Sequence, residues 1–176
     1  MGRFIVNPLE SDTKTQPTTL IARGRAERVL LLSLRLWALT RRGEGRSHAM
    51  GEWRQVFLAA LEPQSRVSIC EGVLEDALAD LDGFLATIVG SPERIWRFHH
   101  PRCIGIDADE VALLDILRLV QVGEMEAGAH TLRGLIGPDR TERAMRYLDG
   151  VVKSLGQCGL GLPLARSTPS GLDLTH

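Results

Sequence analysis

The chain has 176 residues, of which 44% are hydrophobic and 24% charged, a balance that suits one globular domain of ordinary size with a single core. Its 21 basic and 22 acidic residues leave a net charge of -1, which argues against a dedicated nucleic-acid-binding protein, because such proteins carry a basic surplus. The longest apolar run, Val29 to Leu39, is interrupted by Arg35 and is shorter than the roughly 20 residues of a membrane-spanning helix, so we expect no membrane span.

The N-terminal region predicts an arm followed by a buried helix. Residues 1–18 contain two prolines and little periodicity, which indicates a flexible N-terminal arm. Apolar residues dominate from Leu20 to Arg42 and predict a largely buried helix, and arginines recur along one side of it. We call these arginines the arginine stripe: Arg25, Arg28, Arg35 and Arg42.

Two further helices follow in the sequence. Ser47 is placed to cap a short amphipathic helix that ends near Pro63. A longer helix is predicted from Val67 to Ile88, where apolar residues alternate at three- and four-residue spacing in the manner of a bundle seam. Its opposite side carries the residues that we call the acidic face: Glu71, Glu75, Asp76, Asp80 and Asp82.

The acidic face and the arginine stripe have complementary charges. Residues 23–54 carry eight arginines against three glutamates, whereas residues 55–90 carry one arginine against six acids. We therefore expect the two surfaces to meet, within the chain or across a dimer. Because exposed ion pairs contribute only about 0 to 1 kcal/mol each, such pairing would set orientation more than stability.

The second half of the chain predicts three more helices and a tail. Asp107 and Glu110 form a capping box for a helix through about Val122, with so few polar residues that we expect it at the centre of the bundle. Gly123 and Gly137 separate the next two helices, and residues 157–176 are rich in glycine and proline. No run alternates like a strand. The prediction is an all-α fold: an irregular bundle of six to seven helices in a single domain spanning 19–156, with an irregular C-terminal tail.

Possible chemistry is concentrated just before the capping box. His99, His100 and Cys103 are donors that suit zinc or another transition metal, with His48 as a distant fourth ligand. Adjacent histidines rarely bind one ion together, and the paired spacing of strong zinc sites is absent. The alternative is structural, with a histidine capping a helix end and Cys103 packed as a small apolar residue.

The cysteines bear on compartment and on catalysis. Cys70, Cys103 and Cys158 are an odd number and lie far apart, and no secretory leader precedes them, so we expect a reduced, cytoplasmic protein. Cys103 beside a histidine resembles an activated thiol, but no signature of a cysteine hydrolase surrounds it.

The sequence as a whole favours a non-enzymatic module that binds another protein or itself and needs no cofactor. The alternative hypothesis is a metal- or redox-responsive regulator that uses Cys103 with His99 or His100.

Overall fold

The computed structural model describes residues 4–7, 20, 23–41, 55, 71–92, 94–157, 159 and 161–162. The elements found among them are, in chain order, β1 (Phe4–Asn7), α1 (Arg25–Arg41), α2 (Glu71–Val89), β2 (Trp96–His99), α3 (Ala108–Gln121), α4 (Met125–Ile136) and α5 (Pro138–Gln157). Because 74% of the described residues are helical, the predicted class is confirmed in outline. The predicted count of six to seven helices is not supported, since the described residues contain five. The short helix expected between Ser47 and Pro63 lies almost entirely outside them.

A small parallel sheet is the feature that the sequence reading missed. β1 lies within the segment expected to be a flexible arm, and it pairs with β2, with Val6 opposite Phe98. Val6, Trp96 and Phe98 are buried, whereas Ile5 and Arg97 point outward and are exposed. The alternation is therefore present, but four residues per strand are too few to make it stand out. The pairing also joins strands far apart in sequence, which no local pattern records.

Helix α3 lies at the centre of the fold, as predicted. It contacts α1, β2, α4 and α5, and five of its apolar side chains are buried: Leu113, Leu114, Ile116, Leu117 and Val120. The predicted capping box is confirmed, because the Asp107 side chain accepts from the first turn and the Glu110 side chain accepts from the Asp107 backbone. Gly123, with a φ of 86°, ends the α3 region in a conformation that favours glycine.

Helices α2 and α5 pack along each other. The part of the predicted seam that the structure describes is buried as expected, namely Ala77, Leu81, Phe84 and Ile88. The two helices approach closely at Gly83, where an added Cβ would lie 2.5 Å from the Tyr147 ring. Glycine at this position is therefore a packing requirement in spite of its low helix propensity.

Part of the C-terminal region is held against the bundle. The Gln121 side-chain amide donates to the Leu162 carbonyl at 2.9 Å and accepts from the Leu162 amide at 2.6 Å, and Leu162 is buried. Among the described residues, none of the helices combines the length and the apolar character that crossing a membrane requires.

Candidate functional site

A fully buried ion pair lies beneath the His/Cys segment. Arg35 of α1 and Glu110 of α3 both have side chains with zero solvent exposure. The Arg35 Nε donates to Glu110 Oε1 at 2.7 Å, and Nη2 donates to Oε2 at 2.8 Å. This parallel two-bond arrangement is the strongest that an arginine and a carboxylate make.

The remaining hydrogen-bonding capacity of this pair is used by the backbone around it. Arg35 donates from Nη1 to the Cys103 carbonyl at 2.7 Å and from Nη2 to the Gly105 carbonyl at 2.5 Å. Glu110 accepts from the His99 amide at 3.1 Å and from the Asp107 amide at 2.9 Å. Because buried charges are costly unless fully paired, the Arg35–Glu110 pair fixes the path of the chain from His99 to Asp107.

The acidic first turn of α3 also completes the sheet. The Arg97 amide of β2 donates to Asp109 Oδ2 at 2.7 Å, and the His99 amide donates to Glu110. These two amides face away from β1, so the carboxylates occupy the place that a third strand would take. Asp109 also pairs with Arg94. The segment before the capping box, from Arg97 to Cys103, thus has a role in folding, because its backbone amides bind the carboxylates at the start of α3. The spacing of residues in the sequence did not reveal this role.

The structure brings together two of the four predicted metal ligands. His99 Nε2 and Cys103 Sγ lie 3.5 Å and 3.7 Å from the position that a Cβ on Gly105 would occupy, so both border the same small space. His99 Nδ1 is buried and has no hydrogen-bond partner, and Cys103 is a half-buried free thiol. His100 instead accepts from the Arg102 amide at 3.2 Å within its own turn.

His48 lies outside the described residues. Within the part of the chain that the structure does describe, no three His, Cys, Asp or Glu side chains converge in a way that could hold a metal ion.

The arginine stripe does not act as one surface. Arg25 and Arg28 are exposed, and Arg42 lies outside the described residues. Arg35 departs from the expected pairing, because it is enclosed with Glu110 of α3 instead of meeting the acidic face of α2. One sequence signal could have indicated this burial. Arg35 is the single charged residue within an apolar run, and a charge buried in such a run requires a buried partner.

Helices α1 and α2 do form a charged contact, but through a different arginine. Asp82 accepts from the Trp37 indole at 2.6 Å and from Arg41 Nη2 at 2.7 Å, and Arg41 also stacks on the Trp37 ring. This ion pair is substantially exposed. A second, mostly buried contact joins α1 to α3, where Glu27 pairs with Arg118.

The rest of the acidic face is solvent-exposed or close to other acids. Glu75 and Asp76 are exposed, and the Glu71 side chain lies outside the described part. Burial raises the pKa of Asp80 above its ordinary value, and the negative charges of Asp76 and of Asp149 on α5 raise it further. The α5 side chain that lies near Asp80 is therefore an acid, Asp149, and carries the same charge as this face.

Among the described helices, α4 has the smallest buried share of residues. Its buried residues are Gly128, Leu132 and Ile136, spaced four apart, so only one narrow stripe faces the core. A groove of about 730 Å³ lies between α4 and α5, lined by Met125, Glu126, Ala129, Arg133, Pro138, Thr141, Glu142 and Met145. A second hollow of about 590 Å³ lies over Glu126, Ala127, Ala129, His130 and Arg133. We call the surface formed by Met125, Glu126, Ala129, His130 and Arg133 the α4 face.

No protein-family model matches this chain, and no curated protein and no solved structure shows significant similarity to it. Two features of the described residues are not explained by folding. One is the unpartnered His99 nitrogen near Cys103, and the other is the α4 face with its adjoining groove.

Proposed function

We propose that the chain is a small non-enzymatic module, cytoplasmic and reduced, that acts by binding a protein partner through the α4 face. The observation that supports this most is how little of α4 is covered, since only three of its residues are buried. Met125 is 38% exposed at the rim of the groove, and Val122 is 46% exposed close by in sequence. Exposed apolar side chains beside a groove are typical of binding surfaces, and methionine adapts to varied partners.

The polar network under the His/Cys segment supports a structural role for its charges. Arg35 and Glu110 are closed to solvent, and they bond to each other and to backbone groups between His99 and Asp107. A catalytic acid, base or anion-binding group has to reach its substrate. These two side chains are therefore assigned to holding the fold, which leaves the outer surface to carry function.

A photo-crosslinking amino acid at His130 tests the proposal. Purified protein carrying it is illuminated in an extract of its own host, with Ala86, an exposed residue on α2, as the matched control position. We expect a discrete adduct at His130, none at Ala86, and loss of the adduct when Ala129→Asp places a charge in the groove. The same products from both positions, or none from either, would overturn the proposal.

The second candidate function is metal or redox sensing at Cys103. It is favoured by the buried, unpartnered His99 Nδ1 and by the shared space that His99 and Cys103 border. Zinc or another transition metal is the expected ligand, because imidazole and thiolate suit such ions.

Native mass spectrometry under reducing conditions tests this candidate. One metal ion per chain is expected, lost in Cys103→Ser and retained in the control His100→Ala, since His100 is engaged in its own turn. A metal-free chain whose Cys103 also reacts with iodoacetamide no faster than an ordinary thiol would rule out sensing at this site.

A further inference from the structure

We infer that the partner of the α4 face is a second copy of this chain, bound through an antiparallel contact between the two α4 helices about a two-fold axis. This inference rests on the proposed function, because it names the partner of the same surface. The charge pattern, the shape of the surface and the exposed Met125 side chain carry it.

The charges on the α4 face are self-complementary. Glu126 and Arg133 are seven residues apart on the same side of α4, which places them about 10.5 Å apart along the helix axis. A two-fold axis midway between them brings Glu126 of one copy opposite Arg133 of the other, and the reverse, so that one contact makes two ion pairs. Both side chains are exposed, and neither forms an ion pair with another described residue.

The shape of the surface suits the close approach of a second helix. The axis would pass between Ala129, a small residue, and His130, whose exposed side chain would border the contact. Ala127 and Ala129 line the hollow over α4, and a Cβ added to Gly134 would meet nothing within 4 Å. Small residues along a helix pair let the two backbones come together, and the ridges of one helix then fill the hollows of the other.

The same arrangement would cover apolar surface. Met125 is exposed, and with Met145 of α5 it lines the groove beside α4. Met145 is already buried, so an antiparallel helix over α4 would shield Met125 from water, which supplies favourable free energy that exposed ion pairs lack. A 12-residue helix is a small interface, however, so we expect a weak dimer that forms with rising concentration.

Charge reversal tests this pairing in purified protein. Sedimentation equilibrium of the wild-type chain is expected to fit a monomer–dimer equilibrium. Arg133→Glu and Glu126→Arg should each weaken self-association at least roughly tenfold, because each places like charges opposite one another across the axis. An equimolar mixture of the two variants should associate again, because one carries two arginines and the other two glutamates.

Two controls make the result specific. Arg102→Glu reverses an exposed arginine on the loop before α3 and should leave association unchanged. The double variant Glu126→Arg with Arg133→Glu restores complementarity and should dimerise like the wild type. Association that the single reversals do not weaken, or variants that do not recover on mixing, would overturn the inference.

Failure here is distinct from failure of the proposed function. A wild-type chain that stays monomeric up to roughly 1 mM, together with a His130 adduct to a different protein, would overturn self-pairing and keep the α4 face as a binding surface. Absence of both self-association and adducts would overturn the proposed function as well.

Discussion

Glu110 serves two structural purposes at once. Its carboxylate closes the capping box at the start of α3, and it also receives the guanidinium of Arg35 from a residue 75 positions earlier. The first role is local and is written in the Asp-x-x-Glu spacing. The second depends on how the whole chain folds, so the same residue was only half predictable.

Glu110→Gln is expected to destabilise the fold strongly. The amide cannot neutralise Arg35 and presents donors where Arg35 and two backbone amides already donate, leaving a buried charge unpaired at about 3–5 kcal/mol. Urea denaturation measures the loss in free energy of unfolding. The control Arg41→Met breaks the exposed pair with Asp82 and should lose no more than about 1 kcal/mol of ion-pair energy. Equal effects from the two variants would contradict the assigned role of Glu110.

Asp80→Asn is expected to stabilise the protein near neutral pH. A carboxyl whose pKa is raised in the folded protein binds its proton more tightly there than in the unfolded chain. Its stabilising contribution to the free energy of unfolding is therefore complete below the ordinary pKa of 3.8 and is lost as pH rises through the raised pKa. Removing the ionisable group should raise the free energy of unfolding at pH 7 by less than about 1 kcal/mol, since the site is partly solvated.

The pH dependence of thermal unfolding distinguishes the titration of Asp80 from a change in stability that is the same at every pH. The wild-type chain should lose stability relative to Asp80→Asn as the pH rises from 3.8 through the raised pKa of Asp80, while Glu124→Gln, an exposed change before α4, should follow the wild type. Parallel curves for wild type and Asp80→Asn would show that the carboxyl does not titrate as described.

At the scale of elements, the helices were far easier to predict than the strands. The bounds of α3, α4 and α5 could be read to within about two residues, because caps and glycines mark their ends locally. Both strands were missed, since β1 and β2 each have four residues and pair across more than 80 intervening positions. The outer edge of β2 is completed by Asp109 and Glu110, which sequence reasoning treated only as helix-capping acids.

Asp109→Ala is expected to open that edge. The Arg97 amide loses its acceptor, and an unsatisfied amide costs about 1–3 kcal/mol. Hydrogen exchange read residue by residue should show faster exchange at Arg97, while Asp115→Ala, an exposed acid on the same helix, should leave that amide protected. Unchanged exchange at Arg97 in the Asp109 variant would mean that the carboxylate is dispensable to the sheet.

At the scale of the whole molecule, packing joins two groups of elements through α3. Helix α1 is joined to α3 by two ion pairs, Arg35–Glu110 and Glu27–Arg118, while α2 packs along α5. These long-range partners explain why the candidate site was only partly predictable. Local spacing found His99 and Cys103, but not the Arg35 guanidinium that fixes the backbone around them. The exposure of α4 likewise became visible only once its neighbours were in place.

Gly83→Ala is expected to weaken the α2–α5 contact. Alanine has the higher helix propensity, yet its Cβ would lie 2.5 Å from the Tyr147 ring, and overpacking of this kind costs about 1–3 kcal/mol. Gly72→Ala is the matched control on the same helix, because a Cβ there meets nothing within 4 Å. In thermal unfolding, that substitution should leave the melting temperature unchanged or raise it. A melting temperature for Gly83→Ala at or above that of the wild type would refute close packing.

The distance in sequence between Arg35 and Glu110 has a consequence for the order of events during synthesis. Helix α1 is translated 75 residues before the carboxylate that neutralises its buried guanidinium. A growing chain lacks that carboxylate, so α1 cannot reach its native surroundings without leaving a charge unpaired. β1 has to wait in the same way for β2. The N-terminal half of this protein is thus expected to remain open on the ribosome until the start of α3 has emerged, and then to fold together with it.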